Sequence, residues 1–118
     1  MEHEKRQHAR TTCEFTSSFK NLNAEQPQSS ETVVREISEG GIRFRANRFV
    51  PVRDRLLVRI EVPNHKIIEA LAQPAWIREI PSLSQYDIGA KFLSLSEIDR
   101  QVIRAFVQNA RFATSGRL

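Results

Sequence analysis

Val33-Val-Arg-Glu-Ile-Ser-Glu-Gly-Gly-Ile-Arg-Phe-Arg45 has the pattern of two strands joined by a short polar turn. Its two valines are typical strand residues, and its last four residues alternate apolar with basic side chains, as a half-buried strand does. Between these parts lies a polar turn that ends in two glycines, which permit positive φ and a close approach of another group to the backbone. The stretch therefore predicts an antiparallel hairpin.

Glu36 and Ser38 stand two residues apart in this hairpin, a spacing that puts both side chains on the same side of an extended chain. A carboxylate and a hydroxyl beside bare glycine backbone would make a ledge for a small ligand. The same residues also fit an ordinary hairpin turn with solvated polar groups. The turn by itself leaves both interpretations open.

Alternation of apolar and polar residues recurs along the chain and predicts six strands, at 13–19, 32–37, 42–46, 55–62, 67–80 and 86–92. We expect Trp76 to face the core, and Gly89 to break or kink the last strand. The period then changes: Ser96 is a good helix N-cap, and apolar residues at helical spacing predict a helix over 97–112. The chain is thus expected to be dominated by β structure, forming a small closed antiparallel barrel with a terminal helix packed on it as a lid.

The length of 118 residues suits one domain. We divide it into a flexible leader at 1–11, a barrel with its helix at 12–112, and a frayed tail at 113–118. No apolar run reaches membrane-spanning length, and the N-terminus is too polar for a secretory signal. These features predict a cytoplasmic protein without a membrane span.

The formal net charge is +4, and arginine outnumbers lysine, which favours an anionic partner. Cys13 is the only cysteine, so no internal disulfide forms, and the histidines have no metal-ligand spacing. The chain also lacks a nucleophile elbow, a phosphate-binding glycine loop and a dinucleotide fingerprint. We therefore expect no enzymatic activity, no metal and no cofactor.

Two short patterns belong together. Arg6-Gln-His-Ala-Arg10 matches Arg-x-x-x-Arg, and Glu36-Ile-Ser-Glu-Gly-Gly41 nearly matches [Asp/Asn]-x-Ser-x-x-Gly. With the ending Tyr86-Asp-Ile-Gly-Ala-Lys-Phe-Leu-Ser-Leu-Ser-Glu-Ile-Asp-Arg100, the chain resembles the PilZ domain family over nearly its whole length. This resemblance implies a six-stranded antiparallel barrel with a C-terminal α-helix. Many members of the family are bacterial receptors for cyclic di-GMP.

The resemblance also implies a binding site. Arg6 and Arg10 would hold phosphates and guanines, and Ser38 and Gly41 match the second pattern. Glu36 occupies the position where the family usually has Asp or Asn, and its carboxylate extends one methylene further. With two basic residues that stand beside the patterns, the predicted ligand-binding residues are Lys5, Arg6, Arg10, Glu36, Ser38, Gly41 and Arg43.

The chemistry of cyclic di-GMP suits these residues. Guanine presents O6 and N7 to the arginine fork, and its N1 and N2 hydrogens suit an anionic acceptor such as Glu36. The leader would fold over the ligand, and binding would be relayed to an unknown partner protein. Two alternatives remain: a barrel of this type that binds no nucleotide and serves as a protein-interaction module, and a basic barrel that binds single-stranded RNA or DNA. The last would need exposed aromatic residues among basic ones, whereas the phenylalanines mostly fall on the apolar phase of the strands, so we expect no nucleic-acid partner.

Overall fold

Six antiparallel strands form a closed barrel in this computed structural model, which describes residues 9–64 and 67–115. Around the barrel the strands follow the order β1, β2, β3, β6, β5, β4. The fold class predicted from the sequence is confirmed, because one helix follows the six strands. The elements are β1 (Thr11–Asn21), β2 (Ser29–Ile37), β3 (Gly41–Ala46), β4 (Leu56–Glu61), β5 (Ile67–Ile80), a single 3-10 turn (Pro81–Leu83), β6 (Gln85–Ser94) and α1 (Glu97–Ser115).

Alternating side chains build the core of the barrel. In β4 the inward residues Leu56, Val58 and Ile60 are fully buried, whereas Arg59 between them is exposed. All six predicted strands are present. Their ends differ by up to three residues, and β1 already includes Thr11, which the sequence analysis assigned to the leader. The barrel closes because β1 pairs with both β2 and β4.

Helix α1 covers part of the barrel as the predicted lid. The Ser96 side chain accepts a hydrogen bond from the Asp99 backbone N–H at 3.0 Å, so Ser96 is the N-cap that the sequence indicated. Ile103 and Val107 of the helix belong to the core. Phe106 packs edge-on against Phe15 of β1, with 4.9 Å between the ring centroids. Within the described residues, no helix has the length and apolar composition needed to cross a membrane.

The expectation that Trp76 faces the core is wrong. Its side chain is 38% exposed on the outside of the barrel. The pairing of β5 with β6 shifts register between Pro74 and Trp76, and such an irregularity changes which side chains face inward. Gly89 does not break β6 either. A Cβ atom at Gly89 would lie 2.3 Å from the indole ring, so this glycine makes room for Trp76 against the barrel wall.

The reactivity of Cys13 in β1 tests how the barrel buries this thiol. Burial, with a smaller contribution from the negative charge of Glu36, raises the pKa of the Cys13 thiol from 9.0 to about 12. At pH 8 the reactive thiolate is then about a thousandfold scarcer than in an unfolded chain, since each pKa unit is a factor of ten. We expect iodoacetamide to alkylate the native protein far more slowly than the same protein in urea. Because the folded state holds this proton more tightly, stability should also fall as pH rises from about 9 towards 12. Equal alkylation rates in buffer and urea would contradict the burial of this thiol.

Candidate functional site

The loop between β2 and β3 is closed by its own hydrogen bonds. The Ser38 hydroxyl oxygen accepts from the backbone N–H groups of Gly40 and Gly41, at 3.1 and 3.2 Å. The Ser38 N–H donates to the carbonyl of Gly41 at 2.9 Å. Phe92 of β6 also donates its N–H to the Gly40 carbonyl at 2.9 Å. Ser38 is therefore a structural part of the loop, and its own hydroxyl hydrogen stays available for another acceptor.

Gly41 of this loop serves close packing rather than positive φ. Neither Gly40 nor Gly41 has a positive φ. A Cβ atom on Gly41 would lie 2.1 Å from the carbonyl oxygen of Ala90, a distance that no side chain tolerates. The close approach expected at this point of the sequence is thus confirmed, and the neighbouring group is the backbone of β6.

Helix α1 holds the same loop from the other side. Arg104 donates two hydrogen bonds to the Glu39 carboxylate, at 3.0 and 2.9 Å, and Arg100 donates one to the Glu39 carbonyl at 3.1 Å. The hydrogen bond and charge of Glu39 raise the pKa of Arg104 above its ordinary value. This paired geometry is the strong form of an arginine–carboxylate contact. The β2–β3 loop is therefore held directly by helix α1.

A network of ion pairs runs along the outside of the barrel beside the β2–β3 loop. Glu36 accepts from Arg10 at 3.1 Å with one oxygen and from Arg43 at 3.3 Å with the other. Arg43 also contacts Asp87 at 3.2 Å, and Arg78 donates to Asp87 at 2.9 Å. Three guanidinium groups thus share two carboxylates. The arrangement holds the arginines extended while leaving a surplus of positive charge.

A cavity of about 230 Å³ lies between this network of ion pairs and β6. Its lining includes Arg10, Glu36, Arg43, Trp76 and Lys91. Arg78 stands over the Trp76 ring, with 6.0 Å between its guanidinium carbon and the ring centroid. The cavity combines a flat aromatic surface, cationic forks and an anionic acceptor. These groups suit a planar base that carries a phosphate.

Residues 4–109 match the sequence family described as PilZ domain. The chain belongs to the PilZ domain family. No curated protein sequence matches it.

Solved structures agree with this PilZ assignment in fold. The Bacillus subtilis inhibitor of motility MotI/DgrA superposes with a TM-score of 0.79 at 18% identity, covering 98% of this chain and 55% of that one. The PilZ domain of YcgR from Escherichia coli with c-di-GMP gives 0.67 at 12%, covering 96% and 99%. The MrkH–c-di-GMP complex of K. pneumonia gives 0.74 at 12%, covering 98% and 56%. The chain spans about half the length of MotI and of MrkH.

The structure brings together five of the seven residues predicted for the site of this PilZ domain. Arg10, Glu36, Ser38, Gly41 and Arg43 all line the cavity. The other two, Lys5 and Arg6, lie outside the described residues. No described group of three or more His, Cys, Asp or Glu side chains is arranged to hold a metal ion.

Four residues in or beside the cavity are not among the ligand-binding residues predicted from the sequence. Asp87 and Lys91 lie on the polar phase of β6, and the Asp87 side chain is only 1% exposed because arginines cover it. Trp76 and Arg78 follow the register shift in β5. Asp87 is an acidic residue in a chain rich in arginine, which suggests an ion pair. Its arginine partners can be named only once the strand register is known.

Proposed function

We propose that this PilZ domain is a receptor for cyclic di-GMP, which it binds non-covalently in the cavity between Arg10 and Trp76. The observation that carries the proposal is the meeting of two sequence patterns: Arg10 and Glu36, 26 residues apart, are in direct contact at one cavity. The complexes of YcgR and MrkH with c-di-GMP support the choice of ligand. The domain is a non-catalytic sensor, and it acts in the bacterial cytoplasm.

Each part of the ligand has a matching group. One guanine lies against Trp76, its O6 and N7 edge takes the fork of Arg10 or Arg43, and its N1 and N2 hydrogens face Glu36. Glu36 keeps lone pairs for them, because a carboxylate accepts about four hydrogen bonds and two arginines use only part of this capacity. The phosphate takes charge-assisted hydrogen bonds from the arginines and one from the Ser38 hydroxyl.

The remainder of the dinucleotide extends beyond the cavity. A volume of about 230 Å³ is smaller than the roughly 300–1,000 Å³ typical of small-molecule pockets, so it accommodates a base and a phosphate only. The residues that precede Arg10 complete the site by folding over the rest, with Arg6 and Lys5 adding positive charge. The ordering of these residues alters the exposed surface of the domain, and a downstream protein recognises the altered surface.

The single tryptophan reports on this proposal. Cyclic di-GMP should change the fluorescence of Trp76 saturably, because a guanine comes to rest on its ring. GTP, which lacks the second guanine and the cyclic diester backbone, should give no saturation in the same concentration range. An unchanged spectrum, or equal responses to both nucleotides, would argue against binding at this cavity.

Arg104→Gln tests whether helix α1 prepares the binding loop. The substitution removes the double hydrogen bond to Glu39 and should weaken cyclic di-GMP binding by about threefold to tenfold, the equivalent of roughly one hydrogen bond. Gln108→Ala, at an exposed position of the same helix, is the matched control and should leave the affinity unchanged. Calorimetry measures the cyclic di-GMP affinity of both variants. Identical affinities would mean that the contact between helix α1 and the loop does not contribute to binding.

A further inference from the structure

A second cavity, of about 700 Å³, opens on a different part of the barrel and shares no lining residue with the nucleotide cavity. It lies between the β1–β2 connection and the segment 47–50 that follows β3. Its floor is apolar, since Phe19, Ala46 and Val50 are buried core residues. We call it the arginine cleft, defined by Arg35, Arg45, Arg48, Phe49 and Val33.

Within the part of the chain that the structure describes, the arginines of this cleft have no carboxylate partner. Among residues 9–64 and 67–110, no carboxylate forms an ion pair with Arg35, Arg45 or Arg48. The Nε atoms of Arg35 and Arg45 are buried without a hydrogen-bond acceptor. Buried donors are nearly always paired in folded proteins, so these two guanidinium groups have hydrogen-bonding capacity that the described residues leave unused. The lining contains one carboxylate, Glu31, against three guanidinium groups.

An exposed aromatic ring stands at the edge of the same cleft. Phe49 is 60% exposed, although Phe15, Phe19 and Phe44 are all buried as the sequence pattern predicted. Its ring packs edge-on against Tyr86, with 5.9 Å between the ring centroids, so Tyr86 holds it in place while most of it faces solvent. Val33, 36% exposed, extends the apolar surface. Rigid aromatic rings beside arginines are typical anchor points of protein interfaces.

We propose that the arginine cleft binds an acidic, extended segment of a partner protein. Carboxylates of the segment pair with Arg35, Arg45 and Arg48, one apolar side chain covers Phe49 and Val33, and amide side chains such as Gln26 and Gln28 bond its backbone. A protein segment fits better than single-stranded nucleic acid, which needs several aromatic rings in succession, whereas this cleft offers one exposed ring. The proposal does not depend on nucleotide binding, because the two cavities have no residue in common.

A random peptide library displayed on phage tests this assignment. Peptides selected on the full chain should be enriched in Asp and Glu with an adjacent apolar residue. The best peptide, labelled with fluorescein, should lose at least tenfold in affinity when its acidic residues are changed to Asn and Gln. An absence of selected peptides, or selection without acidic enrichment, would overturn the proposal, as would tighter binding of a twelve-residue uridine oligonucleotide through the same arginines.

Variants of the chain locate the binding surface. Arg35→Ala combined with Arg45→Ala, and separately Phe49→Ser, should each weaken the selected peptide at least tenfold. Arg59→Ala is the matched control, because Arg59 is half exposed on β4 and paired with Glu69 outside the cleft. Arg48→Ala, at an exposed position, tests the cleft should the double variant lose its fold. Peptide binding that is indifferent to every cleft variant would refute the assignment, and a parallel titration with cyclic di-GMP shows whether the nucleotide site fails independently.

Discussion

Arg10→Ala should lower the affinity for cyclic di-GMP about 100-fold. Arg10 lines the cavity and is oriented by Glu36 at 3.1 Å, so its guanidinium reaches the ligand without first having to be ordered. Hydrogen bonds to charged groups contribute roughly 1.5–3 kcal/mol each, and 1.4 kcal/mol corresponds to about tenfold in affinity. Loss of one or two such bonds to a phosphate or a guanine gives the expected factor. Calorimetric titration of the variant measures it.

Arg59→Ala is the control for this first prediction. It removes the same charge from the outer face of β4, where Arg59 is half exposed and paired with Glu69 away from the cavity. Its affinity for cyclic di-GMP should equal that of the unaltered chain. An exposed ion pair contributes little to stability, so both variants should remain folded. If Arg10→Ala binds as tightly as Arg59→Ala, the cavity beside Glu36 is not the binding site.

Gly41→Ala should destabilise the fold by about 2–4 kcal/mol, the range of a severe steric substitution. The added Cβ atom would lie 2.1 Å from the Ala90 carbonyl oxygen. That oxygen belongs to the backbone of β6, so relief requires β3 and β6 to separate where Gly41 pairs with Lys91. The same displacement would move the loop that presents Ser38. Urea denaturation gives the free energy of unfolding.

Gly40→Ala provides the comparison for this second prediction. Gly40 stands next in the chain and has no positive φ, so an L-residue fits its backbone conformation. Its free energy of unfolding should stay close to that of the unaltered chain. Equal losses in the two variants would mean that the glycine pair is needed for turn flexibility and not for the approach of β6.

Local patterns predicted the framework of this domain. Strands appeared wherever apolar and polar residues alternate, and the helix began at the N-cap Ser96, because both features depend on a few neighbouring residues. Short patterns in the sequence also predicted the hairpin around Gly41. They likewise indicated the five residues that line the cavity. Their contact with one another needed the fold, since Arg10 immediately precedes β1 and Glu36 lies on the neighbouring strand β2.

Features that depend on register were not predictable. The outward position of Trp76 results from a shift between β5 and β6, and alternation alone gives the opposite side of the sheet. Asp87 is buried by arginines of two other strands. The contact between Glu39 and Arg104 joins residues 65 apart and follows from where the helix packs on the barrel. None of these relations has a signature within a short stretch of sequence.

Isothermal titration calorimetry of the full chain with cyclic di-GMP, GTP and a short single-stranded RNA shows whether this domain is a cyclic di-GMP receptor. We predict saturable binding of cyclic di-GMP alone, greatly weakened by either Arg6→Ala or Arg10→Ala. No heat with the dinucleotide, or binding that is indifferent to both arginines, would contradict it.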